Sequence, residues 1–394
     1  MNAKLKADCD TVLDYSVSRA GGVPGVVAMA TDRNGNIYEG AAGVRELGGE
    51  TAMTTDSVML MASCTKAVTG AAVMQLVEEG VISLDEPAKK YAPEIDELQV
   101  LDGFDSDDNP ILRPPKSDIT LNNLMLHTSG LCYEFFSDDL LKYRTQKEIP
   151  TLLSATFDSF RDVLLHDPGA SWTYGSSIEW LGIIVERLRD KKLSEVMAER
   201  IFEPLGIADT AFVLTPAMLD KRVTIHQRNP DGQLIAAPDL MLPQPPEVEL
   251  GGAGLYGTVG DYLKFIRMIL NDGDGPNGRV LKAETVNAMA QSGLGELKTS
   301  PWKSSIPPLA NSGDFFPGLS KSWSYTFQVN NEPTPTGRPA GQLAWAGLAN
   351  TFYWIDRVTG IGGMWGTQIL PFQDAVSYPG FMEFERAVYA NVGK

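Results

Sequence analysis

Histidine and cysteine are scarce in this chain, three of each in 394 residues, and the shortage removes whole classes of chemistry. His127, His166 and His226 are scattered, and Cys9, Cys64 and Cys132 lack metal-like spacing, so neither a zinc cluster nor a disulfide scaffold is expected. Long apolar runs are missing too. None approaches the roughly 18 residues a membrane-spanning helix needs, and the basic N-terminal residues Lys4 and Lys6 have no apolar signal-peptide stretch behind them. A cytoplasmic location is the expectation. Positive charge is in deficit, with 33 Lys and Arg against 50 Asp and Glu and a formal net charge of −17. Such a surface repels polyanions, which makes nucleic acid and anionic membrane poor partners. The acidic run from Asp105 to Asp108 begins like a calcium loop, but Pro110 stands where the turn needs glycine and Lys116 where the last carboxylate belongs. It reads as a solvated turn, and no metal is expected.

What remains is an ordinary globular composition, 43% apolar and 21% charged, in a chain long enough for a sizeable core. A helix is predicted over about 3 to 20, then a β-hairpin from the apolar run 25–30, the Asn34-Gly35 turn signal and 36–40. From Ser63 to Gly80, Val68, Ala71, Ala72, Met74 and Val77 recur at helical spacing before a glycine stop. Between about 86 and 245 strand signals fade, and helices are predicted at 121–127, 151–165 and 177–188. The tail returns to strands at 342–347, 351–356 and 360–368, with a closing helix from about 380. The two ends are expected to share one sheet. The predicted fold is therefore α/β, an antiparallel sheet flanked by helices (1–85 and 246–394) with an inserted, mainly helical domain (86–245).

Ser63-Cys64-Thr65-Lys66 is an S-x-x-K element at a helix start, where i, i+3 spacing puts hydroxyl and amine on one face. A lysine losing solvation in a crevice becomes a better base, so Lys66 can lower the cost of deprotonating Ser63. Read blandly, the same residues are a capping serine and a solvated lysine. A second copy, Ser300-Pro301-Trp302-Lys303, sits among prolines, where helical geometry is not imposed. Support for the first copy comes from the loop Trp172-Thr173-Tyr174-Gly175-Ser176, in which Tyr174 is the candidate base, accepting the Ser63 proton and returning it to a leaving alkoxide. Trp345-Ala346-Gly347 on a late strand lets a strand edge approach an acyl carbonyl. The Leu348 and Ser63 amides can then form an oxyanion hole. Gly251-Gly252-Ala253-Gly254 reads as a loop packed close to the site. His127 and Ser129 tempt toward a Ser-His pair, but no G-x-S-x-G elbow exists, and His127 reads as a satisfied structural histidine. Cys64, about 100° around the helix from Ser63, should face the core.

In joint order, these elements resemble the family VIII carboxylesterases, relatives of class C β-lactamases and penicillin-binding proteins, over about residues 10 to 390. The resemblance implies the sheet-plus-helical-domain fold with the site between the two parts. It also implies Ser63 as nucleophile, Lys66 as its partner, Tyr174 as general base and Trp345-Ala346-Gly347 as the third motif. The pattern is also similar to the lovastatin-forming fungal acyltransferases, around Phe104 to Leu131 and Asn350 to Trp354, which adds acyl transfer to an alcohol. Two departures from the lactamases stand out. Trp345 replaces the lysine that holds a substrate carboxylate, and Ser176 replaces the asparagine of the second motif. Both favour uncharged esters. The expected enzyme is a serine carboxylesterase needing no cofactor, with a small-molecule ester as partner and Tyr133, Phe135, Phe136, Tyr256 and Trp365 as pocket walls beside Trp345, Ala346, Gly347 and Ser176. The alternatives are a β-lactamase or D-alanyl-D-alanine carboxypeptidase, and a non-catalytic binding protein on the same fold. The oligomeric state stays open.

Overall fold

Local signals decide both ends of the chain. In the computed structural model, which describes residues 2–392, Asn2 caps the first helix by accepting from the Lys4 and Leu5 amides. Positions 1, 393 and 394 of the expected outer domain lie outside the described residues. The main elements are α1 (Ala3–Ser18), β1 (Gly25–Asp32), β2 (Asn36–Gly43), α2 (Thr65–Glu78), α3 (Ser177–Arg189), α4 (Val259–Leu270), β3 (Lys321–Trp323), β4 (Gln328–Asn330), β5 (Gln342–Gly347), β6 (Thr351–Asp356), β7 (Ile361–Gly366) and α5 (Ser377–Asn391). The Asn34-Gly35 turn closes the β1–β2 hairpin, with the Asp32 carboxylate accepting from both turn amides.

The seven strands form one antiparallel sheet in the order β3-β4-β5-β6-β7-β1-β2. Side chains alternate between its faces. Trp345, Tyr353 and Met364 are register neighbours on one face, where Tyr353 meets Tyr262 of α4 with ring centres 5.0 Å apart. Phe352, Trp354 and Trp365 take the other, against Phe381 and Phe384 of α5. Helix α1 lies with α5 on that second face, while α2 packs against α3 of the inserted segment.

The inserted segment is less uniform than expected. It carries two hairpins, Val100–Phe104 with Pro110–Arg113 and Ile225–Arg228 with Leu234–Ala237. The predicted helix at 151–165 is instead two short 3-10 turns, Leu152–Ser154 and Phe157–Phe160. Ala155 between them adopts a left-handed φ of 52°, which breaks any helical continuation. Its carbonyl accepts from the Val248 amide, and Leu164 donates to Gln99, so tertiary bonds replace the helical ladder. Ile369–Leu370 near the C-terminus pairs in parallel with Ile225–Arg228, tying the late chain to the insertion. Among the described residues, no helix is long and apolar enough to cross a membrane.

Candidate active site

Ser63 lies in a single 3-10 turn, Ala62–Cys64, that runs directly into α2. Ala62 before it has φ 44°, a left-handed conformation that costs an alanine on the order of 1–3 kcal/mol. Neighbouring bonds hold it: Met61 donates to the Leu255 carbonyl at 2.8 Å and Cys64 to the Met61 carbonyl at 3.1 Å. Gly347 at the end of β5 abuts this turn so closely that a Cβ there would overlap the Met61 carbonyl oxygen and Thr351 Oγ1. That explains the glycine of Trp345-Ala346-Gly347: only a bare backbone lets the end of β5 pack against the turn that carries Ser63.

Lys66, one turn into the helix, is wholly buried. Its three ammonium protons have three acceptors: Ser63 Oγ at 3.2 Å, Tyr133 Oη at 2.7 Å and the Gly252 carbonyl at 2.7 Å. A buried ammonium is tolerable only when so satisfied. Burial still pulls the lysine below its ordinary pKa, and the Glu179 charge pushes it part of the way back. Glu179, on α3, is equally buried. One of its oxygens accepts from the Gly252 amide at 2.6 Å and the other from the Tyr133 hydroxyl at 3.2 Å. Burial raises its pKa, with Lys66 opposing.

Tyr174 faces Lys66, whose Nζ stands 4.9 Å from the ring centre. The Trp345 indole donates to its Oη at 3.1 Å. Burial raises the phenol well above its ordinary pKa, and the adjacent Ser63 hydroxyl and Trp345 pull the other way. Burial thus works against the phenolate form of Tyr174 and against the ammonium form of Lys66. His127 packs on the Tyr174 ring at 4.9 Å between centres. It is buried and held neutral, far below its usual pKa, by desolvation and by Lys66. It is only half satisfied, which departs from the sequence expectation: Nδ1 accepts from Gly175 at 3.4 Å, while Nε2 has no partner. Cys64 faces the core as expected, with Sγ 3.5 Å from Thr351 Oγ1 and a thiol pushed up to about 12 by burial.

Ser63 and Tyr174 line one cleft with a cavity volume of about 120 Å³. Leu60, Phe136, Leu152, Met241, Leu242 and Phe372 are among its walls, and no lining residue carries a charge. Of the expected pocket residues, Tyr133, Phe135, Phe136, Trp345, Ala346, Gly347 and Leu348 line it. Three others do not. Trp365 sits on the opposite sheet face, where its indole donates to Ser377 at 3.1 Å, because β7 alternates sides. Tyr256 is buried behind the wall in a separate small core, its Oη accepting from Leu242 at 3.0 Å. Ser176 heads α3 as a buried residue that is not part of the cleft lining. Glu179 was missed altogether. Its only signal was an acid inside the apolar run Ile178, Trp180, Leu181, Ile183.

The β-lactamase family model matches residues 11–379. The chain belongs to the β-lactamase family. Within this family it is 32% identical to a lovastatin esterase of Penicillium rubens, over 92% of this chain and 93% of the relative. It is 29% identical to an ML-236A carboxylate methylbutanoyltransferase of Penicillium citrinum, over 94% and 91%. The solved simvastatin synthase of Aspergillus terreus superposes with a TM-score of 0.85 at 30% identity, covering 98% of each chain. This β-lactamase-family chain is a serine enzyme acting on ester bonds, with hydrolysis and acyl transfer both in the chemistry of its relatives.

Proposed function

We propose that this chain is a carboxylesterase of the family VIII kind, which takes uncharged esters, short-chain or bulky, through an acyl-Ser63 intermediate and passes the acyl group to water or to an alcohol. The Lys66 amine accepts the Ser63 proton as Oγ attacks the carbonyl. The Ser63 and Leu348 amides hold the oxyanion. The Tyr174 phenol protonates the leaving alkoxide and is restored from Lys66, so no net proton is lost. A free alcohol or water then reverses the sequence. Tyr133 and Phe136 shape the acyl side of the cleft.

One observation carries this reading: Ser63, Lys66 and Tyr174 converge at a cleft whose lining has no charged side chain. A penicillin-type substrate would bring a carboxylate against a cleft lining that holds no cation, since Lys66 is buried behind Ser63 and Lys298 is not among the lining residues. The test is incubation with p-nitrophenyl butyrate followed by peptide mass spectrometry. A butyryl mass on the Ser63 peptide that turns over, and is lost in Ser63→Ala, is expected. No adduct and no released phenol would remove the proposal, and a chromogenic cephalosporin cleaved as fast as the ester would replace it with a lactamase.

A further inference from the structure

Lys66 does not meet its counter-charge directly. The link runs through two bridges that converge from different parts of the chain. Tyr133 Oη accepts from Lys66 and donates to one Glu179 oxygen, and the Gly252 peptide accepts from Lys66 through its carbonyl and donates to the other oxygen through its amide. Lysine and glutamate thus close a ring of four hydrogen bonds in which every donor has one acceptor. A Cβ on residue 252 would come within 2.5 Å of Glu179 Oε1 and 3.1 Å of Lys66 Nζ, so the ring leaves no room for a side chain there. The polar and ionisable groups facing Lys66 are Ser63 and Cys64 beside it, His127 and Tyr133 from the start of the insertion, Tyr174 from its loop and Glu179 from α3. Among these Glu179 is the one carboxylate.

We propose that Glu179 is a positioning residue for the acyl transfer, which acts through Tyr133 and Gly252 to hold the Lys66 amine against Ser63 and to set how readily that amine gives up its proton. The inference rests on the acyl-Ser63 reading above. A negative charge at the far side of the ring favours the ammonium, so the free amine forms at a higher pH and is a stronger base when it forms. Burial of Glu179 opposes its charge, and Lys66 with the Gly252 and Tyr133 bonds works the other way, so the ring that holds the lysine also favours the carboxylate.

The experiment is the pH dependence of kcat and KM on p-nitrophenyl butyrate for wild type, Glu179→Gln and Glu179→Asp, with thermal melts as the folding control. Glutamine keeps the shape and an acceptor oxygen but removes the charge. It is expected to lower plateau kcat tenfold or more, to leave KM within about twofold, and to move the acidic limb of kcat/KM downward by about one pH unit or more. Glu179→Asp is expected to return the limb toward wild type. A folded glutamine variant whose acidic limb coincides with wild type overturns the inference. If Glu179→Gln does not fold, Tyr133→Phe cuts one bridge by a single oxygen. Its limb should also move downward, and an unmoved limb overturns the inference equally. If wild type places no acyl group on Ser63, the underlying reading has failed; if it does and the limbs coincide, only the role of Glu179 has.

Discussion

At Tyr174, the residues that surround the hydroxyl bear on its charge. Trp345 donates to the same oxygen and burial raises the phenol's pKa, which in the acyl transfer proposed above suits it to act as an acid toward the departing alcohol with Lys66 as base. Tyr174→Phe is expected to cut kcat by about 10²–10⁴, with the deficit smaller for esters of acidic phenols, whose leaving groups need no proton. Equal losses for phenyl and alkyl esters would contradict that role. Ser63, Lys66 and Tyr174 were legible in the sequence because two of them sit at fixed helical spacing and the third on a distinctive glycine-containing loop. Glu179 was not, because its partners lie 46, 73 and 113 positions away at Tyr133, Gly252 and Lys66. Short-range pattern carries no trace of such a ring beyond one acid in an apolar helix face.

Among the secondary elements, strand alternation separates two tryptophans that composition treats alike. Trp345 and Trp365 are both buried and aromatic, but register puts the first on the α4 face and the second against α5. Trp365→Ala is expected to cost about 3–5 kcal/mol of stability in denaturant unfolding while leaving KM for the ester within about twofold. A raised KM without lost stability would place Trp365 at the cleft after all. The terminal strands and helices were readable because each carries its own period. The 100–113 and 225–237 hairpins and the broken stretch at 152–160 were not, since their backbones take remote partners such as Leu164, Gln368 and Val248.

Over the whole molecule, Arg228 joins three distant parts of the chain. Its guanidinium pairs with the buried Asp374 carboxylate and donates to the Gly21 carbonyl at 2.9 Å and the Gly232 carbonyl at 3.0 Å. Arg228→Ala leaves Asp374 buried without its cation, which is expected to cost about 3–5 kcal/mol. Equilibrium denaturation checks this, and a midpoint unchanged from wild type would show that the pair contributes nothing net.

The uncharged cleft has a consequence for timing. Once Ser63 carries an acyl group, water must cross an oily wall to release it, whereas an alcohol with a hydrocarbon body gains roughly 25 cal/mol for each Å² of its surface that the wall covers. The two acceptors therefore compete on unequal terms, and the partition between acid and new ester is a property of the medium around the serine rather than of the serine itself. Lengthening the acceptor alcohol should tilt the product ratio toward transfer in steps, one methylene at a time, until the cleft is full.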